Sequence, residues 1–208
     1  MAQEVKIKEK KQRINDCSIT PGELNAFLFA NQEKELPEKV MLKIRNQSID
    51  ILCKCVKPYY KEIGKISETG LVIGYVQSGK TLSFTSVISL AADNEYRIII
   101  VLAGRNDILL KQTDDRLRTD LGIKKNGRKY SFFTNPGLEK KNDLLTQINN
   151  LRKPAIIITI LKHQKYLNEI SQLLASAEIS KIIAKYGVLI IDDEADQASL
   201  NTKALKKL

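Results

Sequence analysis

The chain has 208 residues, of which 43% are hydrophobic and 28% are charged, and its net charge at pH 7 is +10. This length can bury one good-sized core with a small appendage. No apolar run approaches membrane-spanning length, and residues 1–12 lack the apolar centre of a signal peptide, so we expect a cytoplasmic protein that does not enter membranes. The basic balance suits a polyanion such as nucleic acid, although a solvated lysine-rich surface gives the same balance.

The N-terminal part of the chain, residues 1–66, is predicted to be helical. Thr20 and Pro21 have the pattern of a helix cap followed by a first-turn proline. Pro37 opens a second helix, whose expected apolar positions are Val40, Met41, Ile44, Ile49 and Leu52. We therefore predict a helical segment that precedes an α/β lobe over residues 67–208.

Within that lobe, predicted strands and helices alternate. The strand candidates are 71–75, 97–103, 130–134, 154–160 and 187–192, and the helix candidates are 79–93, 106–121, 137–151 and 161–185, the last of them broken. Apolar strands separated by helices indicate βαβ units, whose crossover helices bury both faces of the sheet. The predicted fold class is therefore α/β, with a parallel sheet covered by helices on both faces.

The first predicted strand leads into a phosphate-binding pattern. Gly74 to Thr81 read G-x-x-x-x-G-K-T, between an apolar run and a helix-like segment. Glycines let successive backbone N–H groups point at phosphate oxygens, and the following helix adds its positive N-terminal end. Lys80 would reach the terminal phosphates, and the Thr81 hydroxyl would ligate magnesium. The sequence thus predicts a P-loop that binds a nucleoside triphosphate, expected to be ATP, with Mg²⁺, through Gly74, Gln77, Ser78, Gly79, Lys80 and Thr81.

The last predicted strand ends in acids, with Asp192, Asp193 and Glu194 directly after an apolar run. Ligands of open α/β sheets bind outside the carboxyl ends of the strands. An acid at that position can hold the metal, and a neighbouring acid can polarise the attacking water. A solvated turn after a core strand is the alternative reading, but the P-loop upstream favours the nucleotide site.

Two segments resemble motifs of superfamily 2 helicases. The strand that ends in Leu102 and Ala103 and leads into a helix resembles their motif Ia, with Gly104 in place of the usual proline. Residues 45–49 resemble the glutamine motif, in which the amide of Gln47 would donate to and accept from the adenine edge. An exposed helix residue is the equally open alternative for Gln47.

A third segment, from Ile156 to His163, resembles the strand and turn that carry a nucleic-acid contact in superfamily 2. His163 is the only histidine in the chain. Because no catalytic or metal-ligating partner is evident for it, the sequence favours a surface or capping role.

The P-loop and the acidic segment together resemble the Z-one domain family. These superfamily 2-like ATPases occur in bacterial restriction-modification and phage-defence operons, and the similarity covers roughly residues 45–202. The resemblance implies a RecA-like core that couples ATP to DNA as a helicase or translocase. It assigns magnesium binding to Asp193 and catalysis to Glu194, which would activate water, with Lys80. Asp192 stays open between a supporting role and a share in metal binding.

Superfamily 2 motors contain two RecA-like lobes, and the second lobe supplies arginine fingers. The predicted elements account for the first lobe only, so we expect a second lobe or other defence-system subunits as partners, besides DNA. The predicted function is therefore the ATP-binding lobe of a DNA-dependent ATPase. The alternative is a truncated, non-enzymatic module that binds nucleotide or a partner and regulates a complex.

Overall fold

A computed structural model describes residues 37–55, 58, 67, 69–72, 80–121, 130–150 and 155–193, with the backbone alone for residues 80–83. The helices in these residues are α1 (Glu38–Leu52), α2 (Lys80–Asp93), α3 (Asp107–Asp120), α4 (Lys141–Ile148), α5 (Gln164–Ala175) and α6 (Ala177–Tyr186). The strands are β1 (Ile98–Ala103), β2 (Ser131–Thr134), β3 (Ile156–Leu161) and β4 (Val188–Asp192), and a short 3₁₀ helix (Leu138–Lys140) precedes α4. The helix predicted to begin at Thr20 lies outside the described residues.

The four strands form one parallel sheet in the order β2-β3-β1-β4. All six residues of β3 are buried, and so are five of the six in β1, which is why both strands have continuous apolar sequences. Ile98 pairs with Ile156 of β3 and with Val188 of β4, so β1 lies between these two strands. The predicted α/β class with a parallel sheet flanked by helices is confirmed.

Successive side chains of each strand point to opposite faces of the sheet, so the sheet contributes to two separate cores. The α2 face is covered by α2 and α3, and its core includes Val87, Ile88, Leu90, Ile99, Val101, Leu117, Ile157 and Leu189. The opposite face, called the α5 face, is covered by α4, α5 and α6, and its core includes Ile98, Ile100, Leu144, Ile148, Ile156, Ile158, Ile170, Leu173 and Ile179. Both faces of the sheet are therefore buried by helices.

The crossovers run in opposite directions on the two faces. On the α2 face, α3 carries the chain from β1 towards β2. On the α5 face, α4 and then α5 with α6 carry it back through β3 to β4. This arrangement is the one that a uniform right-handed crossover sense requires.

Helix α1 packs against α2 and contributes to the same core. Leu52 belongs to the core of the α2 face, and the hydroxyls of Ser48 and Ser86, both fully buried, share a hydrogen bond. Ser48 also donates to the carbonyl oxygen of Ile44 at 2.8 Å. The predicted apolar position Val40 is exposed and Ser48 is buried in its place, so the inward face of α1 differs from the prediction there. The domain boundary after residue 66 stays a prediction.

Two predicted boundaries need correction. Leu71 and Val72, predicted to begin the first strand, lie outside any strand and are 78% and 62% exposed, while residues 73–75 lie outside the described part of the chain. Leu161, placed in a helix by the prediction, is the last residue of β3, because it pairs with Ala103. The expected break in the following helix is found at Ser176, whose extended backbone ends α5 and begins α6.

A buried arginine ties the amino end of β1 to the end of α4. One terminal nitrogen of Arg97, Nη2, donates to the carbonyl oxygens of Ile148 at 2.6 Å and Asn150 at 3.0 Å. Burial lowers the pKa of the Arg97 guanidinium, which nevertheless stays protonated. These bonds satisfy carbonyl groups that the end of a helix leaves without partners inside the helix.

Replacing this arginine tests the connection. We expect Arg97→Gln to lower the free energy of unfolding by about 2 kcal/mol, because the carbonyls of Ile148 and Asn150 lose a charged donor. Urea denaturation followed by circular dichroism measures the loss. The matched change Lys111→Gln, at an exposed position of α3, should stay within about 0.5 kcal/mol of the parent. Equal effects of the two substitutions would contradict this role of Arg97.

Candidate functional site

The carboxyl ends of the four parallel strands meet at one edge of the sheet, which we call the carboxyl edge. Helix α2 begins at this edge. Its 14 residues span about 21 Å, and it is followed by a short turn and by β1, whose six residues span about 20 Å. Since α2 packs on the sheet and runs back against β1, its N-terminus at Lys80 lies level with the end of β1.

The two aspartates at the tip of β4 lie at the same edge. Asp192 pairs with Leu102 in the ladder, and the N–H of Asp193 donates to the carbonyl oxygen of Leu102 at 3.1 Å. Leu189 and Ile191 pack into the core of the α2 face. Strand alternation therefore gives Asp192, the last residue of β4, the opposite face. Asp193 follows the strand, and one further step of the same alternation would direct its side chain towards the α2 face.

Asp192 pairs with a lysine that follows β3, on the other side of β1 from β4. The ammonium nitrogen of Lys162 forms an ion pair with Oδ1 of Asp192 and donates to the backbone oxygen of Asp193 at 2.5 Å. The Lys162 side chain is only 4% exposed, whereas that of Asp192 is 37% exposed. Lys162 thus fixes the tip of β4 from the side of the α5 face.

The backbone of Lys162 makes a further connection at the carboxyl edge. Its N–H donates to the carbonyl oxygen of Gly104 at 3.2 Å, directly after β1. The ends of β1, β3 and β4 are therefore joined through one residue. The sequence singled out Lys162 only as part of a segment resembling a nucleic-acid contact. The one signal for its role is a lysine that directly follows a fully buried strand, apolar except for Thr159.

Close packing explains the glycine that follows β1. A Cβ on Gly104 would lie 2.3 Å from Cδ1 and 2.8 Å from Cβ of Leu109, in the first turn of α3. The side chain of Asn106 caps that helix by accepting from the N–H of Leu109 at 2.9 Å. A proline, as in the motif that this segment resembles, would not fit without movement of α3.

Asp114, on α3, has a structural role beside β2 and β3, at the opposite end of the strand order from β4. Its carboxylate accepts from Thr159 at 2.7 Å, from Thr134 at 2.9 Å and from Arg118 at 2.8 Å. These bonds hold α3 against β2 and β3. Because its oxygens are engaged in this way, we do not count Asp114 among the candidate ligands.

The other predicted site residues fall into three groups. Gly74, Gln77, Ser78, Gly79 and Glu194 lie outside the described residues. Lys80 and Thr81 form the first turn of α2, of which the backbone is described. Gln47 is exposed on α1, and His163 caps α5 by accepting from the N–H of Lys165 at 3.3 Å, as the predicted capping role requires.

Two carboxylates, those of Asp192 and Asp193, lie at the tip of β4 at the carboxyl edge. Within the described ranges, no three His, Cys, Asp or Glu side chains gather into a metal-binding group. Magnesium in nucleotide sites is typically held by one or two protein oxygens together with phosphate and water. Asp193 on the α2 face can supply such an oxygen.

Comparisons with protein-family models, with curated proteins and with solved structures find no match for this chain. In the described part of the chain, no helix is long and apolar enough to cross a membrane.

The packing at Gly104 generates a stability prediction. We expect Gly104→Ala to lower the free energy of unfolding by about 1–3 kcal/mol, because the added methyl overlaps the side chain of Leu109. Thermal and urea denaturation measure the change. Gly70→Ala is the matched control, since a Cβ there meets nothing within 4 Å. An alanine at position 104 that is as well tolerated as one at position 70 would argue against this close contact.

Proposed function

We propose that this chain binds ATP with Mg²⁺ at the carboxyl edge, between the N-terminus of α2 and the tip of β4. One feature of the topology supports the proposal: the first turn of α2 and the tip of β4, with Asp193, lie at the same edge of a parallel sheet. A helix N-terminus favours phosphate through its N–H groups and its dipole, and a carboxylate close by can hold the counter-cation. The G-x-x-x-x-G-K-T pattern ends in this first turn.

The proposed roles follow from residue chemistry. The loop glycines Gly74 and Gly79, with Gln77 and Ser78, would present backbone N–H groups to the phosphates, and Lys80 would neutralise their charge. Thr81 and Asp193 would hold Mg²⁺, which when bound offsets charge on the phosphate oxygens. Glu194, one residue beyond Asp193, would orient and deprotonate the attacking water. Together these residues make the site of a RecA-like P-loop ATPase.

Crossover handedness supports the same arrangement. Helix α2 lies on the face where α3 moves the chain away from β4. A parallel strand joined to β1 through α2 must then lie on the β4 side of β1, because right-handed crossovers on one face all move the same way. A strand that leads into the phosphate-binding pattern would therefore lie on the side of β4, and the pattern would then approach Asp193.

The position of Gln47 agrees with contact to the base. Gln47 precedes Ser48, which is bonded to Ser86, and Ser86 is six residues after Lys80, about 9 Å along the axis of α2. The exposed amide of Gln47 would then lie on the α1 side of a nucleotide bound at the N-terminus of α2. We therefore include adenine recognition by Gln47 in the proposal.

DNA-coupled hydrolysis in a bacterial restriction or phage-defence system is the wider form of this proposal. It is supported by the resemblance to the Z-one domain family and by a net charge of +10. A second RecA-like lobe would supply the opposing arginines, whose contribution to the rate is about a thousandfold or more. An ATPase assay with and without DNA, with such a lobe present, separates this function from that of a non-enzymatic regulatory module.

ATP binding is tested at the lysine of the pattern. We expect Lys80→Ala to weaken ATP binding in the presence of Mg²⁺ by about 10- to 100-fold, because charge-assisted contacts to phosphate are lost. Isothermal titration calorimetry measures the dissociation constant. Lys181→Ala, on exposed α6 beyond the opposite face of the sheet, is the control and should bind like the parent. ATP binding that is equally tight in both variants would rule out the site.

Base recognition is tested separately. Gln47→Ala should weaken ATP by about fivefold while CTP affinity changes less, because only adenine loses the hydrogen bonds of the amide. Competition between the two nucleotides in a fluorescence titration gives both constants. If the substitution affects ATP and CTP alike, Gln47 is a solvent-exposed residue of α1 with no part in the site.

A further inference from the structure

We propose that Lys162 is a positioning residue of the magnesium site. It pairs with Asp192 and holds the backbone of Asp193, so that Asp193 is the metal ligand from β4 and Asp192 is not. This inference rests on the proposed function and assigns the role that the sequence leaves open for Asp192.

The burial of Lys162 shows that its contacts are specific. A lysine that is 4% exposed loses nearly all of its hydration, and a buried ammonium needs charged or hydrogen-bonding partners to be tolerated. Two of its partners, Oδ1 of Asp192 and the carbonyl oxygen of Asp193, lie at the tip of one strand. The ammonium therefore fixes both the side chain and the backbone of this short acidic segment.

Charge separates the two aspartates. An ion pair with Lys162 offsets the negative charge of Asp192, and the same ammonium would repel a divalent cation that approached its carboxylate. Described contacts of Asp193 with Lys162 involve the backbone oxygen and not the carboxylate. Asp193 therefore keeps the charge that Mg²⁺ needs.

Direction separates them as well. Asp192 ends β4 in the row of Val188, which packs into the core of the α5 face, whereas Asp193, directly after the strand, would extend the row of Leu189 and Ile191 on the α2 face. The N-terminus of α2, where phosphate would bind, lies on the side of Asp193. The charge of Lys162 and the direction of the two side chains thus both favour Asp193 as the metal ligand.

Lys162 also links the site to the rest of the carboxyl edge. Its N–H bonds to Gly104 after β1, and His163 next to it caps α5. A change in the position of either segment would move the ammonium and, with it, the backbone of Asp193. Residues that support metal ligands in this way typically change metal affinity by about 10- to 100-fold when they are replaced.

The experiment measures how strongly Mg²⁺ improves ATP binding. ATP is titrated by calorimetry with Mg²⁺ and with EDTA, for the parent and for Lys162→Met, Lys162→Arg, Asp192→Asn and Asp193→Asn. We expect Lys162→Met to reduce the improvement by about tenfold while affinity in EDTA stays close to that of the parent. Lys162→Arg, which keeps the positive charge, should retain part of the improvement of ATP binding by Mg²⁺. Circular dichroism and thermal unfolding verify that each variant is folded.

The two aspartates provide the decisive comparison. Asp193→Asn should remove the improvement by Mg²⁺, whereas Asp192→Asn should retain it within about threefold. If Asp192→Asn removes it as fully as Asp193→Asn, Asp192 is a ligand and the inference is wrong. A folded Lys162→Met protein with the full response to Mg²⁺ also overturns the positioning role. Failure of the parent to bind ATP at all would instead overturn the proposed function, and this inference with it.

Discussion

The parallel arrangement of the strands is the constraint on which the rest of this structure depends. Parallel strands cannot be joined by tight turns, so each connection is a crossover helix that covers one face of the sheet. Every strand then ends at the same edge, and every helix that precedes a strand begins there. This is why Lys80, Gly104, Lys162 and Asp193, far apart in the sequence, come to one edge of the molecule.

The two-residue period of a strand gives neighbouring acids different surroundings. Asp192 and Asp193 have the same side chain and adjacent positions, yet the Asp192 carboxylate pairs with the buried ammonium of Lys162, whereas Asp193 accepts from that ammonium through its backbone oxygen. A shift of β4 by one residue would exchange them. The ladder bond from Asp193 to Leu102 and the ion pair of Lys162 with Asp192 both fix the register that keeps them apart.

Much of the fold was predictable because the buried strands are continuous apolar runs. The strands predicted at 97–103, 130–134 and 187–192 lie within one residue of β1, β2 and β4, and the one predicted at 154–160 lies within two residues of β3. Such runs are bounded by polar residues that a core cannot hold. The helix predicted at 161–185 was expected to be broken, and the structure places the break at Ser176.

The burial of individual polar side chains was not predictable because it depends on tertiary contacts. Helical spacing alone could not reveal that α1 turns Ser48 towards Ser86 while Val40 stays exposed. Local sequence likewise gives no sign that Lys162 would be buried against β4, 30 residues further along the chain. Propensity and periodicity describe a residue within its own helix or strand. The burial of Ser48 and of Lys162 is instead decided by contacts with a different element.

The outer side of β4 exposes apolar surface in the described part of the chain. Within the described ranges, β4 pairs with β1 on one side, and Ile190 at its centre is 57% exposed, an unusual environment for an isoleucine in a parallel sheet. A parallel strand joined to β1 through α2 would lie on this side of β1 by the handedness of its crossover. Such a strand would cover Ile190, so the hydrophobic effect and the crossover rule favour the same arrangement.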